Sequence, residues 1–314
     1  MYSIQRPSRS EFVPIRLHRY HVRLWGDPAA EPLVLVHGWM DVAASYQFMV
    51  DALSPTFFDR RFIIAPDWRG FGHSTGPACD HYSFADYLGD LEWLLDHYAP
   101  GRPVDLVGHS MGGNIAMMYA GVRPERIRRL INLEGFGMPA TRPAQAPARY
   151  AKWLDEIKSL HRGDTALKTY DNADGVAARL MKTNPRLPPD KAAWLAREWS
   201  AARPQPGGGT RHEILGDAAH RIINAQLFRV DEQLALYARI AAPTLMVGAS
   251  DDSLSGWWGD RFTLAEFHDR LQAVADVRRE VLPDSGHMLH HDQPQRLAAL
   301  VEDFVAGAQA GERR

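Results

Sequence analysis

Ser110 sits in Gly108-His109-Ser110-Met111-Gly112-Gly113, a G-x-S-x-G spacing. A serine hydroxyl is a weak nucleophile until a neighbouring base takes its proton, and a sharp strand-to-helix turn is one way to present it. The local pattern predicts such a turn. The apolar run Val104-Asp105-Leu106-Val107 ends just before the motif, and a helical pattern through Ile115, Met118 and Tyr119 starts at Met111. Gly108 and Gly112 have no side chains, so strand and helix can approach closely there. Ser110 then stands at a helix N-terminus, where free N–H groups favour developing negative charge.

The base is expected to be His287, in Asp284-Ser285-Gly286-His287-Met288, because it follows a strand pattern at 277–282 and so opens on the same sheet edge. For the acid that orients it, Asp251 is favoured. It follows the apolar run Thr244–Val247 through Gly248-Ala249-Ser250. Asp252, and Glu134 in Asn132-Leu133-Glu134-Gly135, are the alternatives. Val36-His37-Gly38-Trp39-Met40-Asp41 follows another strand pattern, which makes the Trp39 and Met111 N–H groups the expected oxyanion donors. His37 reads as structural. His290, His291 and Asp292 are neighbours, but no HExxH spacing accompanies them, and neither a metal nor an organic cofactor is expected. Met40, Trp68 and Met288 are the candidate substrate contacts, with Trp257-Trp258, Trp153, Trp194 and Trp199 as further aromatics. Together they favour a small, moderately apolar substrate.

These residues need a scaffold that brings distant loops to one rim. Leu33–Val36, Phe62–Ala65, Val104–Val107, Leu130–Leu133 and Thr244–Val247 are short apolar runs, as expected of strands buried on both faces. Helical patterns near 43–53, 84–98, 111–121 and 294–306 separate them, and loose alternation at 12–18 and 20–25 predicts an antiparallel hairpin. The alternation predicts a doubly wound, mostly parallel α/β sheet. It stops between 138 and 239, a segment read as a helical cap without a convincing strand, with 1–137 and 240–314 as the core. The cap segment carries +5 and the remainder −7.

The 314 residues are 45% hydrophobic and 24% charged, with a net charge of −2. That is the composition of a globular protein, and it gives no basic excess to favour nucleic acid. Cys79 is the only cysteine, so an intramolecular disulfide is excluded. No secretory signal or membrane-spanning run is evident, and the reading is a cytoplasmic protein without a membrane partner.

His37-Gly38-Trp39, Asp67-Trp68-Arg69-Gly70-Phe71-Gly72-His73-Ser74, the Ser110 motif, Gly248 to Asp251 and Gly286-His287 occur in this order along the chain. In this the sequence resembles the α/β-hydrolase superfamily, in its serine-nucleophile branch, and is similar to serine hydrolase-like proteins. The resemblance covers nearly the whole chain, with 138–239 as the variable cap. It implies the α/β-hydrolase fold, puts the triad acid on Asp251, and makes Asp67 to Ser74 a structural turn. Branches resembling haloalkane dehalogenases and epoxide hydrolases carry aspartate at the nucleophile position, so Ser110 disfavours those activities. Some of those dehalogenases take the acid from the position of Glu134, which keeps Glu134 as a rival. The implied activity is ester hydrolysis through an acyl-enzyme. Carbon–carbon bond hydrolysis and non-catalytic ligand binding are the alternatives.

Overall fold

The computed structural model describes residues 2–205 and 207–307. Strands β1 (Arg9–Ile15) and β2 (His18–Trp25) form the expected hairpin. The apolar runs become β3 (Glu31–Val36), β4 (Arg61–Pro66), β5 (Val104–His109) and β6 (Ile127–Leu133). After β7 (Thr169–Tyr170), β8 (Ser200–Pro204) and β9 (Thr210–Ile214) in the inserted segment, β10 (Thr244–Ala249) and β11 (Val277–Leu282) complete the set. Eight strands make one sheet in the order β1-β2-β4-β3-β5-β6-β10-β11, parallel from β4 to β11. The chain moves from β3 to β4 on one side, then crosses back to β5 on the other. That reversal makes the carboxyl ends of β3 and β5 a topological switch point, where open α/β sheets bind ligands. Trp39 follows β3 and Ser110 follows β5.

Continuous apolar strands fit this sheet because both faces are covered. On one face Val34, Val36, Ile64, Leu106 and Leu130 pack with Leu91 of helix Phe84–Tyr98 and Ile115 of helix Met111–Val122. On the other, Leu33, Leu35, Ile63, Val107, Ile131 and Leu245 pack with Leu297 and Val301 of helix Pro294–Ala306.

The inserted segment departs from expectation. It has helices Ala146–His161, Ala173–Thr183 and Pro189–Trp199, and also a small antiparallel sheet in the order β7-β9-β8. The strands of this sheet lack apolar alternation. β8 and β9 are largely polar and exposed, and five backbone pairs from Ser200↔Ile214 to Pro204↔Thr210 hold them together. The segment meets the carboxyl edge of the main sheet at several points. Gly72 N–H donates to the Leu215 carbonyl at 2.9 Å, and Asn184 Nδ2 donates to Asp292 at 2.7 Å. His220 lies stacked between Phe71 and Tyr82, with ring centroids 3.7 Å from each. Among the described residues no helix is long and apolar enough to cross a membrane.

Candidate active site

Ser110 adopts φ 52° and ψ −115°, a strained backbone between β5 and helix Met111–Val122. Crowding forces glycine on both sides. A Cβ on Gly108 would lie 2.3 Å from the Gly112 carbonyl oxygen, and one on Gly112 would lie 2.2 Å from the Val36 carbonyl oxygen. The Ser110 N–H donates to the Leu133 carbonyl at 2.8 Å, which fixes the turn to β6. The loop after β3 presses on the turn from the other side, where a Cβ on Gly38 would come within 3.1 Å of the Ser110 Cβ. Among the described residues, neither the Trp39 nor the Met111 N–H donates to a protein acceptor. Two free amides therefore lie on the segments that flank Ser110, the loop after β3 and the start of helix Met111–Val122.

His287 follows β11. Its backbone carbonyl accepts from His109 Nε2 at 2.8 Å, which ties its loop to the residue before Ser110. Its Nδ1–H donates to Glu134 Oε2 at 3.3 Å. Among the described residues Ser110 Oγ forms no hydrogen bond to His287.

Expectation placed Asp251 behind His287; the structure places Glu134 there. β6 lies beside β5, the strand that carries Ser110, whereas β10 is one strand further out, so His287, whose loop reaches back from β11 to His109, comes over the end of β6. Asn132 builds the turn that delivers the carboxylate, its Oδ1 accepting from Gly135 N–H and its Nδ2 donating to the Gly135 carbonyl, both at 2.8 Å. Glu134 is held at φ 56° and is 2% exposed. Its Oε1 accepts the Ala249 N–H at 2.7 Å, leaving Oε2 for the imidazole. Asp251 instead turns outward. Its backbone N–H donates to the Ser285 carbonyl at 3.0 Å, and its carboxylate pairs with Arg186 of the inserted segment at 2.6 and 3.0 Å. That guanidinium holds the Asp251 carboxyl below its ordinary range. Asp252 caps helix Ser253–Trp258 by accepting from Ser255 N–H at 2.9 Å.

Burial sets the electrostatics. It pushes the Glu134 carboxyl up to about 7, against the Ala249 N–H and the Ser253 hydroxyl, which both favour the anion. It pushes the His287 imidazolium down to about 4, so the ring is neutral and able to accept a proton near pH 7.

The expected rim residues divide. Trp68 is no substrate contact. It is fully buried, its Nε1–H donates to the His37 carbonyl at 3.1 Å, and its backbone N–H donates to His37 Nε2 at 2.9 Å. A tryptophan in the tight turn after β4 is drawn inward against Tyr87. His37 is accordingly structural. Met40, at φ 54°, and Met288 are partly exposed on the loops that carry Trp39 and His287. Trp257 stands edge-on to His287 with centroids 4.3 Å apart and is 48% exposed, while Trp39 is 52% exposed. Trp194 instead packs against Tyr2 and Phe48. Asp67 is a buried turn residue whose carboxylate accepts from His21, Ala43 N–H and His73 N–H. A cleft of about 420 Å³ lined by His18, Tyr82, Arg203 and Glu213 includes none of Ser110, Glu134 or His287.

Three buried residues beside these loops carry no role in the sequence reading, which weighed His290 only as a metal ligand and set it aside. Asp41, His109 and His290 are all buried, and one potential ligand atom of each lies within 4.8 Å of the others. Asp292, two residues after His290, is elsewhere engaged, accepting from Gly286 N–H and Asn184. The available signal was that Asp41, His109 and His290 each flank an expected site residue by one to three positions.

Comparison with known proteins fits this geometry. The family model described as alpha/beta hydrolase fold matches residues 31–294. A serine hydrolase-like protein of Danio rerio is 24% identical over 306 residues, covering 96% of this chain and 89% of the relative. A 2-hydroxy-6-oxo-2,4-heptadienoate hydrolase of Pseudomonas putida is 35% identical over 113 residues, 35% of this chain and 39% of the relative. Among solved structures, a thioesterase domain from the curacin biosynthetic pathway superposes with a TM-score of 0.78 at 23% identity, covering 94% of this chain and 99% of that one.

Proposed function

We propose that this chain, which belongs to the α/β hydrolase fold family, is a serine hydrolase that cleaves esters of small, moderately apolar carboxylic acids through an acyl-enzyme. The observation that carries the reading is the pairing of His287 Nδ1 with the buried Glu134, on a loop tied through His109 to the strained Ser110 turn, which two free amides flank. His287 Nε2 takes the Ser110 proton as Oγ bonds to the carbonyl carbon. The Trp39 and Met111 N–H groups hold the resulting oxyanion, an interaction worth roughly 3–4 kcal/mol per donor. The intermediate collapses by breaking the bond to the leaving alcohol, which takes the proton from the imidazolium. Water then repeats the sequence against the acyl-serine and releases the acid. Glu134 fixes the Nδ1–H tautomer and stabilises the imidazolium in both halves. None of these steps draws on a cofactor.

The rim supports an apolar substrate. Trp39 and Trp257 keep about half their surface open beside the free amides and the base. A panel of p-nitrophenyl esters tests the reading. Saturable turnover that rises from acetate to medium-chain acyl groups is expected; no turnover on any ester or thioester would contradict it. On the same panel Trp257→Ala should raise KM roughly 3- to 10-fold for the longer acyl groups and leave acetate nearly unchanged. An equal effect on every ester would remove Trp257 from the acyl site. The stretch similar to the heptadienoate hydrolase favours a second reading, carbon–carbon bond hydrolysis by the same residues. Turnover of a 2-hydroxy-6-oxo-dienoate in preference to every ester would select it.

A further inference from the structure

We infer that His290 is a positioning residue of the hydrolytic site: with Asp41 and His109 it forms a buried joint, closed by one bridging water molecule, that holds the oxyanion loop, the nucleophile turn and the His287 loop in register. The inference rests on the proposed function above.

Each arm of the joint belongs to a different working loop. Asp41 lies two residues after Trp39, His109 immediately precedes Ser110, and His290 lies three residues after His287. All three are buried, at 5%, 2% and 0% exposure. The hydrogen-bonding state of two arms follows from their partners. His109 Nε2 faces the His287 carbonyl at 2.8 Å, and a carbonyl only accepts, so the proton is on Nε2 and Nδ1 offers a lone pair. Asp41 Oδ1 accepts from Val42 N–H at 2.9 Å and from the Ser45 hydroxyl, which leaves Oδ2 free. Neither ring nitrogen of His290, nor His109 Nδ1, nor Asp41 Oδ2 has a protein partner among the described residues. The Trp199 indole N–H lies near Asp41 but closes no bond.

Left unmet, each such buried group destabilises the fold. Direct contact does not meet them, because His290 Nε2 is 4.0 Å from Asp41 Oδ2 and none of these atoms has a protein partner among the described residues. The inward-facing atoms are two acceptors, on His109 and Asp41, and one N–H donor on a neutral His290. A water molecule donates twice and accepts once, which matches that set at hydrogen-bond length. A divalent ion matches it less well. Zinc–ligand bonds of about 2.0–2.1 Å span the 4.0 Å between His290 Nε2 and Asp41 Oδ2 only with the two nearly opposite each other across the ion, far from tetrahedral. Burial also keeps His290 neutral, as do the adjacent His109, His287 and His291. The ring is packed against Tyr46 and His291, so it cannot swing away, and its centroid lies 4.5 Å from that of His109. A shift of His290 therefore reaches both the oxyanion amides and the base.

Two variants of the full chain test the joint. His290→Leu removes the donor; His290→Gln keeps one donor and one acceptor. The readouts are kcat and KM on the best ester, the rate of Ser110 phosphonylation by a fluorophosphonate, Tm, and metal content. His290→Leu is expected to lower kcat and the phosphonylation rate roughly 10- to 100-fold with KM within about twofold, while Tm changes little because leucine fills the buried place of the ring and the water keeps its bonds to His109 and Asp41. His290→Gln should recover most of the lost rate. An active wild type matched in rate by His290→Leu would overturn the inference alone, as would equal losses in both variants that track Tm. So would about one equivalent of metal in the wild type that is missing from His290→Leu. A wild type inert to ester and phosphonate alike would overturn the proposed function, and this inference with it.

Discussion

Glu134→Gln is expected to lower kcat by roughly ten-thousand-fold, while Asp251→Asn stays within about threefold of the wild type. The amide keeps the volume of the acid and can still accept the Ala249 N–H at Oε1. It cannot stabilise an imidazolium, and its NH2 favours the wrong imidazole tautomer, with Nδ1 unprotonated. Asp251 is half exposed and paired with Arg186, so its loss removes a surface ion pair and leaves the base untouched. A large loss from Asp251→Asn with a small one from Glu134→Gln would reverse the assignment.

The same substitution carries a stability signature. The folded Glu134 carboxyl is raised to about 7, so the native state binds this proton more tightly than the unfolded chain. Its contribution to stability is therefore greatest below the unfolded value and is lost as pH rises through about 7. Glu134→Gln removes a buried anion at pH 8 and should raise Tm there, with the gain shrinking towards pH 5. The rate follows the opposite sense. Catalysis needs neutral His287 and ionised Glu134, and with the imidazolium lowered to about 4 the carboxyl titration governs the acid limb. The two groups titrate as a pair. kcat/KM should fall about tenfold per pH unit below neutrality. A plateau extending unchanged to pH 5 would contradict this.

Ser110→Ala is expected to lose roughly a millionfold in kcat, with residual acceleration over water coming from the oxyanion amides and binding. The change removes only Oγ. Alanine must still occupy φ 52°, and the flanking glycines, the Leu133 carbonyl contact and the helix start all persist. Tm should consequently move little, which separates loss of the nucleophile from loss of the turn. Gly112→Ala behaves differently, because its Cβ meets the Val36 carbonyl oxygen at 2.2 Å, and it should destabilise the fold along with the activity. A Ser110→Ala protein with ester turnover near wild type would place the nucleophile elsewhere.

Much of this was legible in the residues. The strands buried on both faces announced themselves as apolar runs, and the Ser110 turn was readable because a strand pattern, closely spaced glycines and a helix pattern meet there. His287 followed from its place after β11. The acid was not decided by spacing. Asp251 and Glu134 both end core strands, and choosing between them depends on which strand neighbours β5, a fact of sheet order with no local trace. The one local clue was Asn132, whose side chain folds the Asn132–Gly135 turn and points Glu134 inward. β8 and β9 were invisible for another reason: backbone pairing specifies them without an apolar face. Trp68 was misread because a tryptophan after a core strand fits a rim as well as an interior, and only packing against His37 and Tyr87 distinguishes the two.

Mapping the adduct of a fluorophosphonate by mass spectrometry tests the central claim most directly, since the reagent reacts with a hydroxyl only where base and oxyanion donors converge on it. A single stoichiometric adduct on Ser110, slowed strongly by Glu134→Gln and barely by Asp251→Asn, is the predicted result. An adduct on another residue, or an unmodified Ser110 in folded protein, would contradict it.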